Sequence, residues 1–109
     1  LEEGEMTFKD SGETYTGAWK NNEMEGQGMY KFSNDDIYDG TWKDGFMDGV
    51  GIYSYPDKSE FYGTFEQGIK TLGKQMYSNG DVYIGSFVNG LKENGELKYS
   101  DGRVFKGDF

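Results

Sequence analysis

Tyr38-Asp-Gly40-Thr-Trp42 is one of five copies of an aromatic-x-Gly-x-aromatic pentapeptide, and the spacing of the copies decides the fold. The others are Tyr15-Thr-Gly17-Ala-Trp19, Phe61-Tyr-Gly63-Thr-Phe65, Tyr83-Ile-Gly85-Ser-Phe87 and Phe105-Lys-Gly107-Asp-Phe109. Their starts, at residues 15, 38, 61, 83 and 105, recur every 22 or 23 residues. A period of this size marks an array in which one supersecondary unit is copied and stacked, because a single unit cannot bury its own apolar face.

Each pentapeptide follows a segment of alternating aromatics and a polar turn. The segments are Gly28-Met-Tyr30-Lys-Phe32, Gly51-Ile-Tyr53-Ser-Tyr55, Gly73-Lys-Gln75-Met-Tyr77 and Gly95-Glu-Leu97-Lys-Tyr99, with a partial copy at Gly4-Glu-Met6-Thr-Phe8. Strict alternation predicts strands. The intervening Asn34-Asp35, Pro56-Asp57-Lys58, Asn79-Gly80 and Asp101-Gly102 supply turn geometry, so each unit reads as a β-hairpin of about five residues per strand. For Tyr83, Gly85 and Phe87 to share a face with Gln75 and Tyr77, the loop must be odd, which selects Ser78-Asn79-Gly80 and a type I turn with a G1 bulge. The first unit has one extra residue around Ser11-Gly12 and is expected to carry a longer loop. The same parity sets Gly28 opposite Gly40, Gly51 opposite Gly63, Gly73 opposite Gly85 and Gly95 opposite Gly107. Paired strand glycines leave a floor on which aromatic rings can lie flat.

Composition narrows the class. Eighteen Gly with one Pro in 109 residues excludes collagen and proline-rich linkers, and 17% aromatic content is too high for a disordered segment. No apolar run approaches the roughly 20 residues of a membrane span. With no Cys and no N-glycosylation sequon, the expectation is a cytoplasmic address, with association to cytoskeleton or membrane open. The chain starts at Leu1 and stops on the last ring of a repeat, which suggests a segment of a longer protein.

Net charge is −9 and uneven: residues 1–54 hold 4 Lys against 12 acids, residues 55–109 hold 7 Lys+Arg against 8 acids. The first half should repel nucleic acid and anionic membrane. In the second half Lys92, Lys98, Arg103 and Lys106 are candidates for a small basic area able to contact lipid.

These residues resemble the MORN (membrane occupation and recognition nexus) repeat, with its Tyr-x-Gly-x-Trp core and a Gly-x-Gly before the next strand. The resemblance covers the whole chain as a single array: a partial unit 1–22, units of about 23–45, 46–68 and 69–90, and a terminal unit 91–109. Gly45-Phe-Met-Asp-Gly49-Val-Gly51 matches the inter-repeat segment, and Asn22-Glu-Met-Glu-Gly26-Gln-Gly28 does so with Asn for the first Gly. Gly68-Ile-Lys-Thr-Leu-Gly73 and Gly90-Leu-Lys-Glu-Asn-Gly95 are one residue short and lose the Gly-x-Gly, which leaves the regularity of stacking open there. Glu25 and Asp48 stand where the family often has His. The resemblance implies an all-β, elongated, single-layer antiparallel meander with an aromatic groove on one face, spanning roughly 45 Å at about 4.8 Å per strand.

Residues for chemistry are few. With no His and no Cys, thiol nucleophiles, Ser-His triads and the usual zinc sets are absent. Asp35, Asp36, Asp39 and Asp44 fail the calcium-loop template, since Phe46 stands at its twelfth position. The expectation is a non-enzyme without cofactor or metal that binds a protein partner, a helix or extended peptide, along the groove. The ring residues Trp19, Tyr30, Trp42, Tyr53, Phe65 and Phe87, with the loop residues Phe46 and Met47, are the candidate contacts. Such rings more often pack on one another within the chain, and both roles can hold together. Loop residues Met24, Ile69, Leu72 and Leu91 either extend Phe46 and Met47 into an apolar ridge or tuck with them over the sheet edge. On the opposite face Tyr62, Met76, Val82, Ile84 and Val88 are candidates for self-association. The alternative function is a membrane-associating module that binds phosphoinositide or anionic lipid.

Overall fold

The structure, a computed structural model, describes residues 2–8 and 11–109. Its strands are β1 (Glu2–Thr7), β2 (Thr14–Lys20), β3 (Glu23–Lys31), β4 (Ile37–Lys43), β5 (Phe46–Ser54), β6 (Glu60–Glu66), β7 (Ile69–Met76), β8 (Val82–Val88), β9 (Leu91–Lys98) and β10 (Val104–Asp108). They form one open antiparallel sheet in strict chain order, an all-β meander. The sheet measures 47 × 23 × 18 Å, with the long dimension along the stacking direction.

Two kinds of turn close the meander on opposite edges. On one edge the alternating segment meets the pentapeptide through three-residue loops. In Ser78-Asn79-Gly80 the Gly80 amide donates to the Tyr77 carbonyl and Gly80 takes φ +96°, the left-handed geometry that the parity argument requires. Asp35 and Lys58 fill that position elsewhere, at φ 71° and 74°. The first loop is one residue longer, with Phe8 bonded to Glu13, and its Lys9 and Asp10 lie outside the described residues.

The inter-repeat segments also turn as hairpins, and this differs from the sequence reading. Asn21-Asn22, Asp44-Gly45, Gln67-Gly68 and Asn89-Gly90 all have both φ angles positive, the two-residue turn whose twist suits paired strands. Strands therefore run on into the inter-repeat segments and reach seven to nine residues, longer than the five read from the alternating pattern. The surplus length is absorbed by bulges. Between Gly17↔Gly28 and Trp19↔Met24 strand β3 carries two extra residues, and β5 repeats this between Gly40↔Gly51 and Trp42↔Met47. The shorter third and fourth inter-repeat segments give up one residue of the bulge and keep the turn. Stacking stays in register across both.

That register makes a continuous glycine row. Gly4, Gly17, Gly28, Gly40, Gly51, Gly63, Gly73, Gly85, Gly95 and Gly107 are successive cross-strand partners, one per strand. The four pairs set by turn parity are present, and the bulges supply the pairs between them. The first ring of each of the first four pentapeptides lies over two glycines of the row: Tyr83 over Gly85 and Gly95, Phe61 over Gly63 and Gly73.

Candidate functional site

The core of a one-layer sheet has to be made on one face, and here it is a file of interlocked rings. Tyr15, Tyr38, Phe61 and Tyr83 are fully buried. Each is met edge-on by the last ring of its own pentapeptide and by the last ring of the next one, at centroid distances of 4.8–5.5 Å and interplanar angles of 79–90°. Edge-to-face pairs are the favoured quadrupole arrangement, contributing about 0.5–1.5 kcal/mol each beyond area burial. The tyrosine hydroxyls are satisfied locally: Tyr15 donates to the Ala18 carbonyl at 2.8 Å, Tyr38 to Thr41 at 2.9 Å and Tyr83 to Ser86 at 2.7 Å. Trp42 adds a bond from Nε1 to the Gly28 carbonyl, 3.0 Å.

This file redistributes the residues read as partner contacts. Trp42, Phe65 and Phe87 are only 6, 4 and 7% exposed, because the neighbouring repeat's ring covers each of them. They are the spine of the fold, and Tyr30 at 9% belongs with them. Trp19, Met47 and Tyr53 are half-buried on the same face, and Phe46 stands exposed beside the Gly68 turn. The apolar ridge divides: Met24 and Met47 turn in toward Trp19 and Trp42, Leu72 is exposed on the opposite face, and Phe46, Ile69 and Leu91 remain exposed beside the two-residue turns.

The groove surface is therefore made by Phe32, Met47, Tyr53, Tyr55 and Tyr77. Polar groups of the preceding unit fix Tyr53 and the buried Tyr30 beneath this surface. Tyr30 donates to Glu13 at 2.6 Å and Tyr53 to the buried Asp36 carboxylate at 2.8 Å. Burial first, and the Glu13 carboxylate second, push the Tyr30 hydroxyl up to about 12. Burial likewise pushes Tyr55 up to about 12. Glu25 and Asp48 accept from the amides of Asp44 and Gln67 at 3.0 and 3.2 Å, tying each bulge to the next repeat's turn.

In the third unit the pattern changes. Gln75 occupies the place of Tyr30 and Tyr53, and Lys70 the place of Met24 and Met47. The Lys70 ammonium lies 4.8 Å from the Phe61 ring centroid and 5.0 Å from that of Tyr55, and donates to the Tyr55 hydroxyl and to Gln75 Oε1, the latter at 2.9 Å. Met47, Tyr53, Tyr55, Phe65, Ile69 and Lys70 line a cavity of about 410 Å3 here. Sequence reasoning missed Lys70, Tyr55 and Gln75 as site residues. Aligned by repeat, the Met-to-Lys and Tyr-to-Gln exchanges are the signal that marks them.

Burial pushes the Lys70 ammonium down to about 8, with Asp36 opposing. An unfolded lysine titrates at 10.5, so between pH about 8 and 10.5 the unfolded chain binds more protons and stability rises with pH. Tyr30, Tyr38 and Tyr55, raised from 10 to about 12, contribute stability that is full below pH 10 and lost as pH rises through 12. Urea melts stepped in pH should show a rise from pH 8 to about 10 followed by a fall, and Lys70→Met should abolish the rise alone.

The four candidate lipid contacts are not brought together. Lys92 lies on the groove face, 4.9 Å over the Tyr77 ring. Lys98 pairs with Val82 and Val104 on the opposite face, where Lys106 sits 3.8 Å from Glu96. Arg103 is bound to Asp101 in its own turn at 2.8 Å.

With this geometry in hand, comparison with known families gives one match, the MORN repeat, at residues 15–37, 38–60 and 83–102. The chain belongs to the MORN repeat family. Modules of this family mediate protein or membrane interaction and are non-enzymatic. Comparison with curated proteins gave no match. The unmatched stretch within the MORN array, 61–82, is the unit that holds Lys70 and Gln75. Among the described residues no cluster of three or more acids, His or Cys could hold a metal ion, and no helix is long and apolar enough to cross a membrane.

Proposed function

We propose that this MORN array is a non-catalytic interaction scaffold whose groove receives a helix or extended peptide of a protein partner. The observation that carries the reading is the cavity of about 410 Å3 bordered by half-exposed Met47, Tyr53 and Tyr55 on one open sheet. Partly exposed aromatic and methionine side chains beside a recess are the usual anchors of such a contact. A membrane-docking reading lacks this support, since its basic residues are split between two faces and the chain carries −9. The test is affinity capture on wild type, on Met47→Ser/Tyr55→Ala and on Ile84→Asp. A partner lost only with the groove variant supports the reading. Retention by the groove variant, or recovery only of anionic vesicles, contradicts it.

The opposite face favours a second reading, self-association. Val50, Ile52, Tyr62, Leu72 and Ile84 are exposed there by 38–57%. Asp39, Ile52, Tyr62 and Lys74 are successive cross-strand partners. A second copy turned about an axis along the strands between β5 and β6 would set Asp39 of each copy over Lys74 of the other and Ile52 over Tyr62. Light scattering should then give a mass near twice 12.4 kDa that Ile84→Asp reduces to 12.4 kDa. A monomer at all concentrations would remove this reading.

A further inference from the structure

Lys70 departs from the logic of the first two units of the groove, and Lys92, opposite Phe87, takes the corresponding place in the fourth. Its two counterparts in the earlier units are the methionines Met24 and Met47, which complete an apolar wall. A cation placed there loses hydration, and a buried charge is costly unless paired. Among the described residues Lys70 makes no ion pair. Its ammonium has three donors, and two are taken by the Tyr55 hydroxyl and Gln75 Oε1. The third has no hydrogen-bond partner among the described residues, and Lys70 lines the cavity. Having accepted from Lys70, the Tyr55 hydroxyl keeps its own proton to donate beside it. Two adjacent donors on an otherwise apolar wall match the two oxygens of one carboxylate. A phosphate dianion fits less well: it would bring more charge than one ammonium offsets, near the Asp36 carboxylate that already acts on Lys70 and Tyr55.

We propose that the recess between the second and third repeats is a carboxylate-accepting subsite. An internal aspartate or glutamate of the partner segment sits on Lys70 and the Tyr55 hydroxyl, and a neighbouring apolar side chain lies against Met47 and Tyr53. The inference rests on the groove as a protein site and names what that groove selects: a segment combining apolar residues with one acid, in spite of the array's own net charge of −9. Lys70 then confers specificity, because a partner lacking the acid leaves the ammonium desolvated and unpaired. Tight binding should also depend on pH. A carboxylate that binds only the charged form loses affinity about tenfold per pH unit above the pKa of Lys70 in the free chain.

Lys70→Met is the informative variant, because it installs the residue that the first two units use at this place and so retains the fold; its melting curve verifies that. A displayed library of random peptides is selected on the wild-type chain, and the recovered peptides are measured on both forms by fluorescence polarisation. The expected result is enrichment of Asp or Glu at one internal position. Those peptides should bind Lys70→Met at least about tenfold more weakly, and replacing the acid by its amide should have little further effect on that variant. Peptides that compete for the groove without an enriched acid, or that ignore Lys70→Met, overturn the subsite and leave the groove reading standing. Recovery of no groove-binding peptide overturns both.

Discussion

Gly40→Ala should destabilise the protein by about 3 kcal/mol, the upper end of what overpacking a filled site costs, while Gly4→Ala in the same glycine row should stay within about 0.5 kcal/mol of wild type. A Cβ at Gly40 would fall 2.5 Å from the Gly51 Cα, 2.7 Å from the Val50 carbonyl oxygen and 2.7 Å from the Tyr38 hydroxyl. Two of these are backbone atoms of the adjacent strand, and the third belongs to a fully buried ring. None can yield without separating β4 from β5 or lifting Tyr38 from its floor. At Gly4 nothing lies within 4 Å, so the same methyl meets open space. For a domain of this size the difference amounts to roughly 10–20 °C in Tm. Equal effects at the two positions would show that the glycines serve backbone freedom and not ring seating.

Trp42→Ala carries the second large effect, about 3–5 kcal/mol, the range for deleting a buried large aromatic. Trp42 is the ring through which the first two pentapeptides touch: its centroid is 5.5 Å from that of Tyr15 and 5.1 Å from that of Tyr38. It also donates to Gly28. Removing it cuts the file, and in a repeat array whose stability is a sum of units and nearest-neighbour interfaces the cut should be felt locally. Hydrogen exchange is therefore expected to speed up in β1 to β3 well before β7 to β9. Trp42→Phe should cost about 1 kcal/mol, mainly the Gly28 hydrogen bond, since Phe65 and Phe87 fill the same place in later units. Uniform loss of protection along the whole sheet would contradict the unit-by-unit picture.

Period and parity made the architecture legible from residues alone. Alternation in Gly51-Ile-Tyr53-Ser-Tyr55 and the odd loop at Ser78-Asn79-Gly80 set faces and registers that the sheet retains. What they did not convey was the continuation between units. Pairings such as Gly17↔Gly28 depend on whether a bulge holds one extra residue or two, and bulge length leaves no mark on alternation. The Asp44-Gly45 and Asn89-Gly90 dipeptides were the available turn signals there. The site was less legible for a related reason. Whether Phe65 is an anchor or a core ring is decided by Tyr38, some 27 residues earlier, and that contact exists only once the glycine row is continuous. The basic residues show the same limit, because the bulge after Lys92 places it and Lys98 on opposite faces.

Coverage by neighbouring repeats thus separates two populations of aromatic residues. The fully interlocked rings hold the sheet, and the half-exposed ones beside the cavity are those that the proposed partner would contact. Site-specific photo-crosslinking in native extract tests that division most directly, with a benzophenone side chain placed at Tyr55 in the groove or at Ile84 on the opposite face. One defined heterologous adduct is expected from position 55, competed away by excess unlabelled wild-type protein, with none from position 84 beyond a second copy of the chain. A specific heterologous adduct from position 84 with none from position 55 would contradict that division.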